Sequence, residues 1–211
     1  MMNKKLAAAL VVPAVLFCAG VAKAADHSDC ECQAKTEVTA TLADICELTL
    51  NGGNVAAIIT PTTGILDAAL TPSFKLISNE EHTLTLTGTV DTTSGAHNAL
   101  FEEAGVQYLV LGNTSGLNKP TSAAIINAGS AAPVAASNDN AIAYPIVSVN
   151  ASGATTGALS FAVDEYTIDT NGGTTIVTLT TGTNPRANTY DFGLDKSGQY
   201  KAELILSAAG I

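Results

Sequence analysis

The chain has 211 residues, a formal net charge of −10 and no tryptophan. With 9 lysine and arginine residues against 19 acidic ones, it lacks the basic surface by which proteins bind nucleic acids or anionic membranes. Only 13% of the residues are charged and 18 are glycine. Together with abundant threonine and valine, this composition indicates a β protein rather than a helical one.

Residues 1–24 are predicted to be an export signal peptide. Lys4 and Lys5 form a positively charged start, residues 6–20 are apolar, and Ala22-Lys23-Ala24 matches a small-x-small cleavage site. The apolar run is too short for a membrane span, and no later run approaches the ~20 apolar residues that a span needs. Loss of the signal's three lysines takes the formal charge of the exported chain from −10 to −13.

The segment that follows, residues 25–43, is predicted to be an N-terminal arm, with a β-sandwich domain over residues 44–211. Within the arm, Val38, Ala40 and Leu42 alternate with threonines, the period-2 pattern of a strand that buries one face. Asp44 interrupts the alternation before the next apolar run. Two interpretations stay open: the arm is the first strand of its own sandwich, or it pairs with a neighbouring molecule.

The remainder of the chain predicts an all-β fold in the form of an antiparallel sandwich. Short apolar or alternating runs predict strands at residues 48–50, 82–90, 106–111, 142–149, 159–163, 166–168, 174–181 and 200–206. Pro145 predicts an edge position or a bulge in its strand.

Three connections carry further expectations. Asn171-Gly172-Gly173 predicts a hairpin turn. Residues 66–70 predict one short helix that Pro72 ends. Residues 113–140 are rich in alanine, serine and asparagine, and they predict a long surface excursion.

No catalytic motif is present in the sequence. The acidic pairs Glu80-Glu81 and Glu102-Glu103 lie in strand or loop contexts where adjacent side chains point to opposite faces, which suits solvated charges better than a general acid and base. The three histidines fall in unrelated contexts. We therefore expect no enzyme activity, no catalytic residues, no metal site and no cofactor.

Cys30, Cys32 and Cys46 are disulfide candidates in an exported chain. Three cysteines cannot all pair within one molecule, and Cys30 and Cys32 are too close in sequence to pair well with each other. Either Cys46 bonds to one of the other two within the chain, or Cys30 or Cys32 joins a cysteine of an adjacent subunit.

Two stretches of the chain resemble a known family. Residues 37–53, EVTATLADICELTLNGG, resemble the mature N-terminus of alpha-class chaperone–usher pilins, the major fimbrial subunits of the colonisation-factor type. Residues 197–206, SGQYKAELIL, resemble the closing Gly-x-Tyr strand of the same subunits.

This resemblance implies an immunoglobulin-like sandwich that lacks its last strand and is completed by the N-terminal strand of a neighbour. The donor side chains would be Val38, Ala40 and Leu42. The acceptor groove would be lined by Leu48, Leu50, Tyr200, Ala202, Leu204 and Leu206.

The implied function is that of a homopolymeric fimbrial subunit. A periplasmic chaperone and an outer-membrane usher would be its assembly partners, and export through the periplasm would place it on the cell surface. The alternative is a self-complete secreted β-sandwich that acts as a cell-surface structural or carbohydrate-binding module. The absence of tryptophan weakens the carbohydrate-binding version, because sugar sites usually present aromatic platforms.

Overall fold

The computed structural model describes residues 39–134 and 139–211. The chain divides into two compact units, Met1–Thr41 and Leu42–Ile211. Of the first unit only residues 39–41 are described; they are exposed and have no regular secondary structure. The second unit is built from antiparallel strands that curl into a β-sandwich, which confirms the predicted fold class.

The strands of the second unit differ widely in length. In chain order they are β1 (Cys46–Leu50), β2 (Ser73–Ser78), β3 (His82–Thr92), β4 (Gly95–Asn98), β5 (Leu100–Glu103), β6 (Val106–Asn113), β7 (Ala141–Ala162), β8 (Glu165–Thr181), β9 (Tyr200–Lys201) and β10 (Glu203–Gly210). A short 3-10 turn covers Gly116–Asn118, and one α-helix, α1, covers Ser122–Gly129. Most of the predicted strands fall within these elements, with shifted ends and some fusions, but the predicted strand at residues 200–206 is divided between β9 and β10.

The core follows from alternation along the strands. In β3, every second residue from His82 to Thr92 is buried, as the threonine-rich pattern predicts. β2 alternates in the same way, and the apolar parts of β6 and β7 close the other side of the core. The buried side chains are mostly leucine, valine and isoleucine, and full burial of each contributes about 1.5–3 kcal/mol.

β2 and β3 lie end to end along the same edge of β8. β2 pairs with the later half of β8, where Ser78 faces Gly173, and β3 pairs with the earlier half, where His82 faces Thr170. All of this pairing is antiparallel, so β2 and β3 run in the same direction. The three residues between them form a small excursion from an otherwise continuous line.

The predicted hairpin turn at Asn171-Gly172-Gly173 is wrong, because β8 runs through these residues without reversing. Gly172 and Gly173 have φ values of 76° and 105° and make a bulge opposite β7. Glycine relieves the steric cost of positive φ, so the strand can bulge here and change partner from β3 to β2. The chain reverses instead at Val163 and Asp164, whose φ values of 51° and 67° suit a two-residue hairpin turn.

The predicted helix at residues 66–70 is also wrong: Leu66 forms an isolated bridge with Ile59 and lies in the core. The helix lies in the segment that predicted only a surface excursion. α1 begins after Thr121, whose hydroxyl accepts a hydrogen bond from the Ala124 N–H at 3.1 Å, and it buries Ile125 and Ala128. The bulge predicted near Pro145 is confirmed by a register shift just beyond it.

Candidate strand-docking edge

β1 and β10 together form one row on the edge of the sheet. β1 pairs with β2 and β10 pairs with β3, each on the edge that faces away from β8. Both strands are antiparallel to the β2–β3 line, so they run in the same direction with β10 first and β1 following. We call them the β10–β1 row. Among the described residues no strand pairs with the outer edge of this row.

The place where β10 ends and β1 begins lies beside the short turn between β2 and β3, residues 79–81, and we call it the junction. Hydrogen bonds from this turn fix both strand ends. Asn79 makes two hydrogen bonds with the backbone of Ile45. Its side-chain carbonyl accepts from the Ile45 N–H at 2.6 Å, and its backbone N–H donates to the Ile45 carbonyl at 3.2 Å. The Asn79 amide also donates to the Ala43 carbonyl at 3.1 Å. On the other side of the junction, the Ile211 N–H donates to the Glu81 carbonyl at 3.3 Å. The row is therefore almost continuous.

A buried serine–histidine contact supports this turn. The Ser78 hydroxyl lies 3.2 Å from His82 Nδ1, and the Glu80 N–H donates to the same hydroxyl at 3.0 Å. Both side chains are buried at the ends of β2 and β3. Because the hydroxyl is engaged by the Glu80 backbone and shielded from solvent, the pair suits a structural role rather than nucleophilic catalysis.

β1 presents apolar side chains on the core face, but these side chains are only partly covered. Leu48 lies opposite Leu76, and Leu50 lies opposite Phe74, so each leucine shares the face of a core residue. Leu76 is only 1% exposed, whereas Leu48 and Leu50 are 36% and 54% exposed. All five residues of β1 are exposed. The margin of the core is therefore open along β1.

β10 is better packed than β1. Leu206 is buried opposite Leu86, and Leu204 is half-buried opposite Gly88. Ile205 points to the other face and is 44% exposed. After Glu203, the strand contains no charged side chain up to Gly210.

Tyr200 and Ala202 lie outside the row. Tyr200 is in β9, which pairs with β6, and Ala202 separates β9 from β10. The Tyr200 hydroxyl donates to the Lys196 carbonyl at 2.9 Å, and burial raises its pKa to about 12. Of the predicted acceptor residues, the structure thus brings Leu48, Leu50, Leu204 and Leu206 into one edge, arranged end to end rather than across a gap. Their acceptor role stays a prediction.

The predicted donor residues are only partly described. Val38 lies outside the described residues, Ala40 is exposed, and Leu42 is 76% exposed in a segment without strand structure. Cys46, the first residue of β1, is exposed and forms no disulfide with another described residue. Cys30 and Cys32 lie outside the described residues, as does the predicted signal peptide, so the disulfide alternatives stay open.

Other features of the described residues were candidates for chemistry. A shallow cavity of about 170 Å³ contains Asp91 and Glu203, and each of these acids is paired with a lysine, at 2.5 Å and 3.7 Å respectively. In residues 39–134 and 139–211, no three His, Cys, Asp or Glu side chains come together as a metal site. Nor does this part of the chain contain a helix with the length and hydropathy of a membrane span.

Comparison with known proteins gives no family assignment: neither a protein-family model nor a curated protein sequence matches the chain. The functional interpretation therefore rests on the geometry of the β10–β1 row. The sequence did not indicate Asn79, since its surroundings, Ser-Asn-Glu-Glu, are those of an ordinary solvated turn.

Proposed function

We propose that this chain is an exported structural subunit of a surface fibre, similar to chaperone–usher pilins, which polymerises when the N-terminal arm of one copy adds as a strand to the next. One observation carries the proposal. Leu48 and Leu50 lie on the core face of β1 and yet remain exposed, on a sheet edge with no described partner strand.

Addition of a strand would give this edge both a hydrogen-bonding partner and cover for its exposed leucines. The outer backbone groups of the row would gain hydrogen-bond partners, each bond contributing about 0.5–1.5 kcal/mol. The apolar side chains of the arm, Val38, Ala40 and Leu42, would pack on the core side beside the open leucines. Each large side chain that becomes fully buried adds about 1.5–3 kcal/mol. Several such contacts together would make dissociation slow.

The same edge explains why assembly partners belong to the proposal. An unpaired, regular sheet edge with apolar side chains is a template for unwanted pairing. A periplasmic chaperone would cover the edge before assembly, and an outer-membrane usher would exchange the chaperone for the next arm. The immunoglobulin-like topology, with its last strand supplied in trans, and the surface location are parts of the same proposal, which assigns no catalytic role, metal or cofactor to the chain.

The test is the state of the purified mature protein. We expect ladders of multimers that resist SDS at room temperature and collapse to a single band on boiling. A reductant in every sample separates this behaviour from disulfide cross-linking. A protein that stays monomeric at high concentration would contradict the proposal and favour the self-complete secreted sandwich.

A further inference from the structure

We propose that the arm of the neighbouring copy docks on the outer edge of the β10–β1 row, centred on the junction at Asn79, so that one strand contacts the end of β10 and the whole of β1. This inference rests on the proposed function and names the place where strand addition occurs. The occupant is the segment Lys35–Leu42 of a second copy.

β1 and β10 lie end to end along one edge of the sheet and do not face each other. Gly210 faces His82 and Cys46 faces Ser78, so the two strands follow one another beside a single line of partners. A strand inserted sideways between two strands needs those strands to face each other across a gap. Here they share one edge, and an incoming strand can pair with both only from the outside.

The charges and exposed leucines of the row indicate where along it the neighbour's arm would dock. Glu203, at the far end of β10, is charged and ion-paired with Lys201, and charges on an edge strand oppose further pairing. The last four residues of β10, Ser-Ala-Ala-Gly, are small and uncharged, and they lead to the exposed leucines of β1. From Leu204 to Leu50 the row carries one charged side chain, Glu47 of β1, so the part that is most open to pairing is centred on the junction.

The residues that precede β1 in the same copy cannot extend β1 in line along the row. A straight continuation of β1 toward the arm would run beside β3, and β10 fills that place. Asn79 fixes Ala43 and Ile45 by three hydrogen bonds, which positions the root of the arm at the junction. Leu42, immediately before this root, is exposed and not in a strand. The described residues just before β1, Leu42 and Ala43, therefore do not extend the row.

The length and the alternating pattern of Lys35–Leu42 both match this part of the row. Lys35–Leu42 has eight residues, which span about 26 Å as a strand at ~3.3 Å per residue. That length covers the five residues of β1, the junction and the end of β10. When the apolar side chains of the arm face the core, Thr39 and Thr41 point outward, on the same side as Glu47 and Thr49 of β1.

The experiment uses disulfide trapping between two differently tagged mature chains, in which Cys30, Cys32 and Cys46 are all serine. One chain carries Thr41→Cys, and the other carries Cys at Glu47, Thr49, Ser207 or Ala209 in turn. Neighbouring antiparallel strands place facing Cα atoms ~4.5–5.5 Å apart, within the range for a disulfide. Val147→Cys is the matched control, since Val147 is 68% exposed on β7.

After mixing, copper–phenanthroline oxidation and boiling in SDS without reductant, we expect a mixed covalent dimer for at least one of the four row positions. Its yield should exceed that of the Val147→Cys control several-fold. Ladders that form without any cross-link to the row, or with a cross-link to Val147→Cys alone, would overturn the docking site while leaving the proposed function intact. Cross-linking of two Ala209→Cys chains that lack residues 25–42 would overturn it too, because the occupant would then be a second β10.

A second comparison avoids the cysteine changes. In the otherwise unaltered mature chain, Ala209→Lys places a charge at the exposed end of β10, and Val147→Lys places the same charge on exposed β7. We expect loss of SDS-resistant ladders from Ala209→Lys only. Equal ladders from both variants would contradict the site. Absence of ladders from the unaltered chain would remove the proposed function and, with it, this inference.

Discussion

The part of the chain that the structure describes has two long free sheet edges, which differ in regularity. β10 pairs with β3 over eight consecutive residues and β1 pairs with β2 over five, both without a register shift. β7 from Ile146 to Ala162 pairs with β8 across three register shifts, and the described residues contain no strand on its other edge. Gly153 and Gly157 within it have φ values of 103° and 83°.

This difference indicates which edge is adapted for pairing. Bulges twist an edge strand and interrupt the row of outward N–H and C=O groups that a second strand needs. β7 has such interruptions along most of its free length, so it is protected. The β10–β1 row has none within either strand, and it also carries the exposed leucines. A protein that avoided edge pairing altogether would be expected to protect both edges.

The largest expected effect comes from removing the donor. Deletion of Ala25–Leu42 should abolish polymerisation and leave a folded domain, because under the proposed function the arm completes the neighbouring copy rather than its own domain. Loss of SDS-resistant ladders with an unchanged far-UV circular dichroism spectrum is the expected result. If the truncated chain still polymerises, or if it no longer folds, the arm is not a donor strand.

Single substitutions in the arm test which of its two faces binds the neighbouring copy. Leu42→Asp should block assembly more strongly than Thr41→Asp, because a step of one residue along a strand reverses the face. A carboxylate at position 42 would be buried without a partner, whereas one at position 41 would stay in solvent. The relative ladder intensity of the two variants measures the difference. Equal inhibition by both substitutions would show that the arm does not bind by one face.

The packed and open sides of the β1–β2 pair can be compared directly. Leu76→Ala should lower the free energy of unfolding of the monomer by about 2–5 kcal/mol, because it leaves a cavity in the core. Leu48→Ala, on the facing position, should cost less, about 1–2 kcal/mol in the monomer, because 36% of this residue is already exposed to water.

Urea unfolding of the arm-deleted protein measures both values. In the assembled material Leu48→Ala should lower the temperature at which the ladders dissociate. A large loss of monomer stability from Leu48→Ala would mean that β1 is already covered in the free subunit.

The smallest expected effect is a difference in stability between two glycine substitutions on the bulged edge formed by β7. Gly153 and Gly157 both have positive φ, so alanine at either position should cost about 1 kcal/mol in backbone strain. At Gly153 an added Cβ would also come within 2.0 Å of the Thr174 carbonyl oxygen, whereas at Gly157 nothing lies within 4 Å. Gly153→Ala should therefore destabilise the domain more than Gly157→Ala in thermal unfolding. Equal melting temperatures would argue against the bulge at Gly153.

Local patterns in the sequence predicted most of the strands. The threonine alternation from His82 to Val90 predicted β3 because one buried face requires a period of two. The same kind of reasoning could not separate a turn from a bulge at Asn171-Gly172-Gly173, since both need residues that tolerate positive φ. It also missed α1, which has eight residues and is stabilised by packing of Ile125 and Ala128 rather than by a strong helical pattern.

The candidate site was harder to predict than the strands. Local patterns indicated that residues near Leu48 and Leu204 belong to strands, and the family resemblance implied that both line one groove, but neither indicated that the two strands follow one another along one edge. That arrangement depends on pairing between segments more than 100 residues apart, such as Leu206 with Leu86, and pairing of this kind has no local signal. Asn79 escaped notice for the same reason, because its importance comes only from the segment that it contacts.

The most direct test of the account is amide hydrogen exchange of the arm-deleted domain with and without a synthetic Lys35–Leu42 peptide. A peptide with Asp in place of Val38 and Leu42 serves as the control. We expect the unaltered peptide to slow exchange in the later part of β10 and in β1 and to leave residues 146–162 of β7 unchanged, whereas the control peptide should protect neither. Protection of β7 instead of the β10–β1 row, or equal protection by both peptides, would contradict docking of the arm on this row.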